Sequence, residues 1–158
     1  MLIENGADVA ATAYFGDKAG VTPVGLAAWE GDLATLRILL EAGASAALKP
    51  SQLSAALYSA LTHHRQDKAV LLLKHGALHN IFTATMTGDA DAIRRAIQQD
   101  PDCVAAQDPV AGWTPLELAV EHQQFEAADL LIEHGVEVPP QAAAAMGRID
   151  EILSLIHI

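Results

Sequence analysis

The chain has a single cysteine among its 158 residues, Cys103, so it can form neither an internal disulfide nor a multi-cysteine metal site. Aromatic residues are also scarce, at 4% against 51% hydrophobic residues overall. A core with so few rings must be assembled from Ala, Leu, Ile and Val, which suits closely packed short helices better than a β-sandwich. Positive charge is short as well: nine Lys and Arg face twenty Asp and Glu, for a formal net charge of −11. That field repels phosphate backbones and anionic lipid, so neither nucleic acid nor a membrane surface is an expected partner. No apolar run approaches the roughly 20 residues that span a bilayer. The opening, Met1 to Gly6, has neither the basic nor the long apolar region of a signal peptide, which makes a reducing, cytoplasmic location the expectation.

What the chain does have is a repeated unit, read most easily from Thr22 to Ala44. Pro23 suits a first helical position, where its missing N–H would be unpaired anyway, and Thr22 before it is an N-cap residue. Leu26, Ala27 and Ala28 form a small apolar patch, and Gly31 closes this first helix. Asp32 caps a second helix, on which Leu33, Leu36, Leu39 and Leu40 share a face, and Gly43 supplies the stop. Two helices this short cannot bury both faces alone, so copies must flank them.

Copies are present. Leu39, Leu40, Gly43 and Ala44 map onto Leu72, Leu73, Gly76 and Ala77, 33 residues on. The second copy has lost its Thr-Pro start: Ala55 and Ala56 stand there, its first helix is expected from about Gln52 to Thr62, and His64 replaces Gly31. The third copy centres on Gly88-Asp89, and its projecting turn is deleted between Gly76 and His79. The fourth starts at Gly112-Trp113-Thr114-Pro115-Leu116, with Gln123 in place of the mid-unit glycine. The last again has a short lead-in, from Gly135 to Val138. The chain is therefore expected to be one domain with units at 1–12 (the end of a truncated unit), 13–45, 46–78, 79–104, 105–136 and 137–158, the last one truncated. Leu36, Ala69, Ile93, Ala128 and Ile152 form a column that should be buried in every unit.

The period of 33, the turn, the helix pair and the Thr-Pro-Leu start resemble the ankyrin repeat. Asp17, Gly20, Thr22, Pro23, Ala27, Ala28, Gly31, Leu39, Leu40, Gly43 and Ala44 match that family's pattern, as do Gly112, Thr114, Pro115, Leu116, Ala119, Leu131 and Gly135. One departure is uniform: the family's His after Thr-Pro-Leu is Gly25, Tyr58 or Glu117 here. The resemblance implies an all-α solenoid of stacked helix-turn-helix units with short or missing hairpin turns. The chain begins inside one unit and stops inside another, so a fragment of a longer array is expected. Residues 153–158 also resemble the translated end of a sequencing adaptor, which makes them a candidate non-native scar; the alternative is a broken last helix, since Leu155 and Ile156 fit the apolar register.

No constellation of catalytic residues stands out, and no cofactor is expected. His75 and His79 are four apart, but Gly76 breaks the helix between them, so they are no metal site. Asp102 beside Cys103 opposes thiolate formation, which leaves a packed small residue. The resemblance instead points to partner contact at the exposed ends of the first helices, namely Trp29, Glu30, Thr62, His63, Met86, Thr87, Glu121 and His122, and at the turns, namely Lys18, Val21, Val110 and Trp113. The two tryptophans offer the most contact area for little ordering entropy. The expected function is a non-catalytic scaffold that binds a partner protein, with a basic surface favoured by the acidic chain. The alternative is a regulatory or targeting segment of a larger enzyme or toxin-like protein. The deleted turns should leave a gap in the wall of turns, with Phe82 or Met86 exposed at its edge.

Overall fold

A computed structural model describes residues 8, 13–15, 18–44 and 48–147. Asp17, Ile152 and residues 153–158, all singled out above, lie outside the described residues. The chain divides into two compact units, Met1–Leu78 and His79–Ile158. Both are built from pairs of short helices, and the fold is the all-α one expected, with a single short hairpin among the described residues.

The first unit opens on that hairpin: β1 (Ala13–Phe15) pairs antiparallel with β2 (Lys18–Val21), Ala13 opposite Val21 and Phe15 opposite Lys18. Helix α1 (Pro23–Trp29) follows at once. The Thr22 hydroxyl accepts from the Gly25 amide at 3.0 Å, the expected N-cap. Helix α2 (Leu33–Leu39) begins likewise at Asp32, whose carboxylate accepts from the Thr35 amide at 2.6 Å. That bond holds the Asp32 carboxyl below the usual carboxylate range. The chain leaves α2 through one wider turn, Leu40–Ala44, in which Gly43 takes φ 90°. Helix α3 (Pro50–Thr62) and helix α4 (Gln66–Lys74) complete the unit.

Helix α3 corrects the sequence reading. It starts at Pro50, earlier than Gln52, so a proline opens this copy after all. The Gln52 side-chain oxygen turns back to accept from the Lys49 amide at 2.9 Å and closes the helix start. Pro50 sits well upstream of the position that aligns with Pro23, and added helix fills the interval. Helix α1 packs on α3 and α2 on α4, like against like. Val24, Ala27 and Ala28 meet Leu53, Leu57, Ala60 and Leu61 in the core, with Leu36, Leu40, Ala69 and Leu72 behind them. Leu39 is only half-buried, so the Leu40 side chain does the sealing expected of both.

The second unit repeats the plan with α5 (Ile81–Thr87), α6 (Ala90–Gln99), α7 (Pro115–Glu121), α8 (Phe125–Glu133) and α9 (Pro140–Ala145). Asn80 and Thr83 cap α5 reciprocally at 2.8 and 2.9 Å. Helix α5 packs on α7, α6 on α8, and α9 on α7. Ile81, Ala84, Ile93, Leu116, Ala119, Ala128 and Leu131 form one apolar cluster. The column Leu36, Ala69, Ile93 and Ala128 is buried throughout, as the register requires.

The mid-unit glycine position shows two different demands. A Cβ on Gly31 would stand 2.7 Å from the Ala27 Cα, so a close backbone approach excludes other residues there. Gly88 instead takes φ 72°, and Gln123 is forced to φ 57°. Left-handed backbone costs a side-chain-bearing residue about 1–2 kcal/mol, part of which glycine's extra freedom in the unfolded chain offsets. Gln123→Gly should therefore raise stability by about 0.5–1 kcal/mol, while Gln123→Ala should give no gain. Urea melts of the two variants decide it; an equal gain for both would mean that strain at φ 57° is not the cause.

Candidate functional site

Trp29 and His63, 34 residues apart, meet at the ends of α1 and α3. The indole Nε1–H donates to His63 Nε2 at 2.9 Å, with ring centroids 6.1 Å apart and planes tilted by 57°. An Nε2 that accepts leaves the imidazole proton on Nδ1, which lies 2.9 Å from the Ser59 carbonyl oxygen. These two bonds assign the Nδ1–H tautomer to His63, which is held at both ring nitrogens. The Thr62 hydroxyl donates to the same carbonyl at 3.0 Å. The pair is half-exposed at Trp29 and exposed at His63, with Glu30 exposed beside it. The sequence flagged both rings separately; the fold brings them together as a bracket across two successive helices.

Beneath this bracket lies a residue that sequence reasoning missed. Lys68 is 3% exposed, and its ammonium donates to the carbonyls of Ala27 (3.0 Å), Ala28 (3.1 Å) and Gly31 (2.6 Å). A helix leaves its last carbonyls without intrahelical partners, and a cation there also meets the negative end of the helix dipole. Lys68 supplies both remedies to α1 from the following helix pair. Its burial pulls the ammonium pKa below the ordinary lysine value, with Arg65 adding to the shift and Asp67 and Asp32 opposing it. The signal was available: Lys68 precedes Ala69 of the buried column, where Ala92 and Ala127 precede Ile93 and Ala128.

In the second unit the focus is Trp113, 39% exposed at the mouth of a turn. Asp108 builds that turn. It is 2% exposed; its Oδ1 accepts from Val110 and Ala111 amides at 2.9 and 3.0 Å, and its Oδ2 from the Trp113 amide at 2.8 Å. The Asp108 amide donates to the Trp113 carbonyl at 2.9 Å. Asp108 also escaped the sequence reading, because it stands one residue farther from Gly112 than Asp17 does from Gly20. Trp113, with Glu117, Val120 and Glu121 of α7 and Pro139, Gln141 and Ala142 at α9, lines an open cleft of about 360 Å³. That volume is near the low end of the roughly 300–1,000 Å³ typical of ligand pockets. Glu117 Oε2 accepts from the Thr114 amide (2.7 Å) and hydroxyl (2.9 Å), which fixes one side of the cleft.

The other flagged residues divide. Val110 and Glu121 are exposed, and Val21, Thr87 and His122 are half-buried. The side chain of Lys18 lies outside the described residues. Met86 corrects the expectation of an exposed edge: it is 0% exposed. Helix α5 buries Ile81, Thr83, Ala84, Thr85 and Met86 together, and the Thr85 and Thr87 hydroxyls turn back onto the Ile81 and Thr83 carbonyls at 2.6 and 2.9 Å. A flexible thioether in such surroundings is packing material. Phe82 is half-buried.

Titratable groups offer little chemistry. Cys103 is buried, and desolvation, reinforced by Asp100 and Asp102, pushes its thiol up. His79 is shifted down by burial against the opposing pull of Asp89, whose Oδ2 is 3.6 Å from Nε2. Among the described residues, no group of three or more His, Cys, Asp or Glu is placed to hold a metal ion, and no helix is long and apolar enough to cross a membrane.

Short helix pairs stacked like against like, with side chains displayed at the helix ends and turns, define a helical-repeat protein. A family model described as Ankyrin repeat matches residues 111–139, from the turn built by Asp108 through α7 and α8 to the start of α9, and in that stretch the chain is similar to an ankyrin repeat. Ankyrin repeats are protein–protein interaction motifs and generally carry no catalysis. No curated protein matches the chain.

Proposed function

We propose that the chain is a non-catalytic scaffold that binds a partner protein through the concave-side ends of its first helices and the turns beside them. The observation that carries this reading is the placement of the two tryptophans. Each stands partly exposed where successive helix pairs meet, Trp29 bracketed to His63 and Trp113 over the cleft between α7 and α9. Rings in such places are large, and their neighbours hold them in position, so little entropy is lost on binding. The contact set comprises Trp29, Glu30, Thr62 and His63 in the first unit, and Thr87, Val110, Trp113, Glu121 and His122 in the second, with Lys18 and Val21 on the hairpin; Met86 drops out.

A photo-crosslinking amino acid tests it. Placed at Trp29 or Trp113 in cells that express the protein, it should yield discrete protein adducts. Placed at Arg37 or Glu126, exposed on the second helices, it should yield none. Adducts confined to the second-helix positions would overturn the reading.

A further inference from the structure

We infer that the Trp113 cleft takes an arginine side chain from the partner; this rests on the scaffold reading above. The walls are apolar at Trp113, Val120, Pro139 and Ala142, and the polar groups are Glu117, Glu121 and Gln141. Among the described residues, no cation lines the cleft. Glu117 and Glu121 are four apart on α7 and so project from the same helix face. A capping bond occupies Glu117 Oε2, so Oε1 is the oxygen a ligand can use, while Glu121 is exposed. The chain's charge of −11 attracts basic segments in general, and this rim carries two of its carboxylates, Glu117 and Glu121.

Arginine fits this combination better than lysine does. Its guanidinium is planar and weakly hydrated, stacks on an indole face, and offers a fork of N–H donors to carboxylates. An ammonium keeps more of its water and presents no flat face. An uncharged apolar side chain would fill the walls but give Glu121 and the second oxygen of Glu117 no donor while partly desolvating them.

The probe is acetyl-Gly-Arg-Gly-amide, with the citrulline and lysine peptides as comparisons, titrated at low salt into the full chain. The readout is the pair of indole N–H resonances in NMR spectra. The arginine peptide should shift the Trp113 resonance saturably and leave that of Trp29 in place. Citrulline in the peptide, or Glu121→Gln in the protein, should weaken binding about fivefold or more, the loss of one exposed cation–π or charged contact. Glu117→Gln keeps the capping box, since glutamine serves there too, and should also weaken binding while melting with the parent protein.

No saturable shift at Trp113, an equal shift at Trp29, or undiminished binding of the citrulline peptide would overturn the inference. Equal binding of the lysine peptide would overturn the choice of arginine. If the peptides fail while a crosslinker at position 113 still captures the protein adducts seen from position 29, the arginine chemistry falls and the scaffold stands. If both fail, the scaffold reading falls with it.

Discussion

Replacing Lys68 with methionine is expected to lower the unfolding free energy by about 2–5 kcal/mol, the range for breaking buried charge-assisted hydrogen bonds. Methionine retains most of the apolar stem, so packing loss is small and the deficit reports the ammonium. Three carbonyls at the end of α1 lose their donor together. Lys68→Arg should not rescue fully, because a planar fork cannot replace a compact ammonium centred among three oxygens. Urea unfolding monitored by circular dichroism is the measurement. A methionine variant as stable as the parent would show that desolvating the ammonium costs as much as its three bonds return.

Asp108→Ala should be comparably damaging, at about 2–4 kcal/mol, because one carboxylate holds three backbone amides and the site is closed to water. Asp108→Asn keeps a single acceptor oxygen and should fall in between. The turn also positions Trp113, so the alanine variant should broaden or move the Trp113 indole resonance well before global unfolding. Full stability together with an unmoved resonance would refute the role given to Asp108.

The helix plan was legible because its determinants are local. Thr22-Pro23, Asp32 and Thr114-Pro115 act within a few residues of themselves, and each caps the helix assigned to it. The apolar column was legible for the same reason: periodicity alone set Leu36, Ala69, Ile93 and Ala128 inward. What escaped depends on partners far along the chain or on a broken alignment. Nothing near Lys68 indicates that its target is α1, and nothing near Trp29 indicates His63. Pro50 and Asp108 were hidden by a lengthened helix and by one added residue. Deletion of a turn does not uncover Met86 as the sequence suggests, because α5 is buried over most of its length. For the candidate site, the sequence pointed to the rings and acidic side chains but not to the cleft that Trp113, α7 and α9 enclose.

The clip from Lys68 to α1 also sets an order of events as the chain is made. The carbonyls it serves are 37 to 41 residues earlier. At about 5–20 residues per second, α1 emerges some 2–8 s before the group that completes it. Over that interval its C-terminal end has only water to meet its carbonyls. The α1–α2 pair therefore reaches its final set of bonds only once α4 has been made, and its completion is the joining of two helix pairs rather than the closing of one.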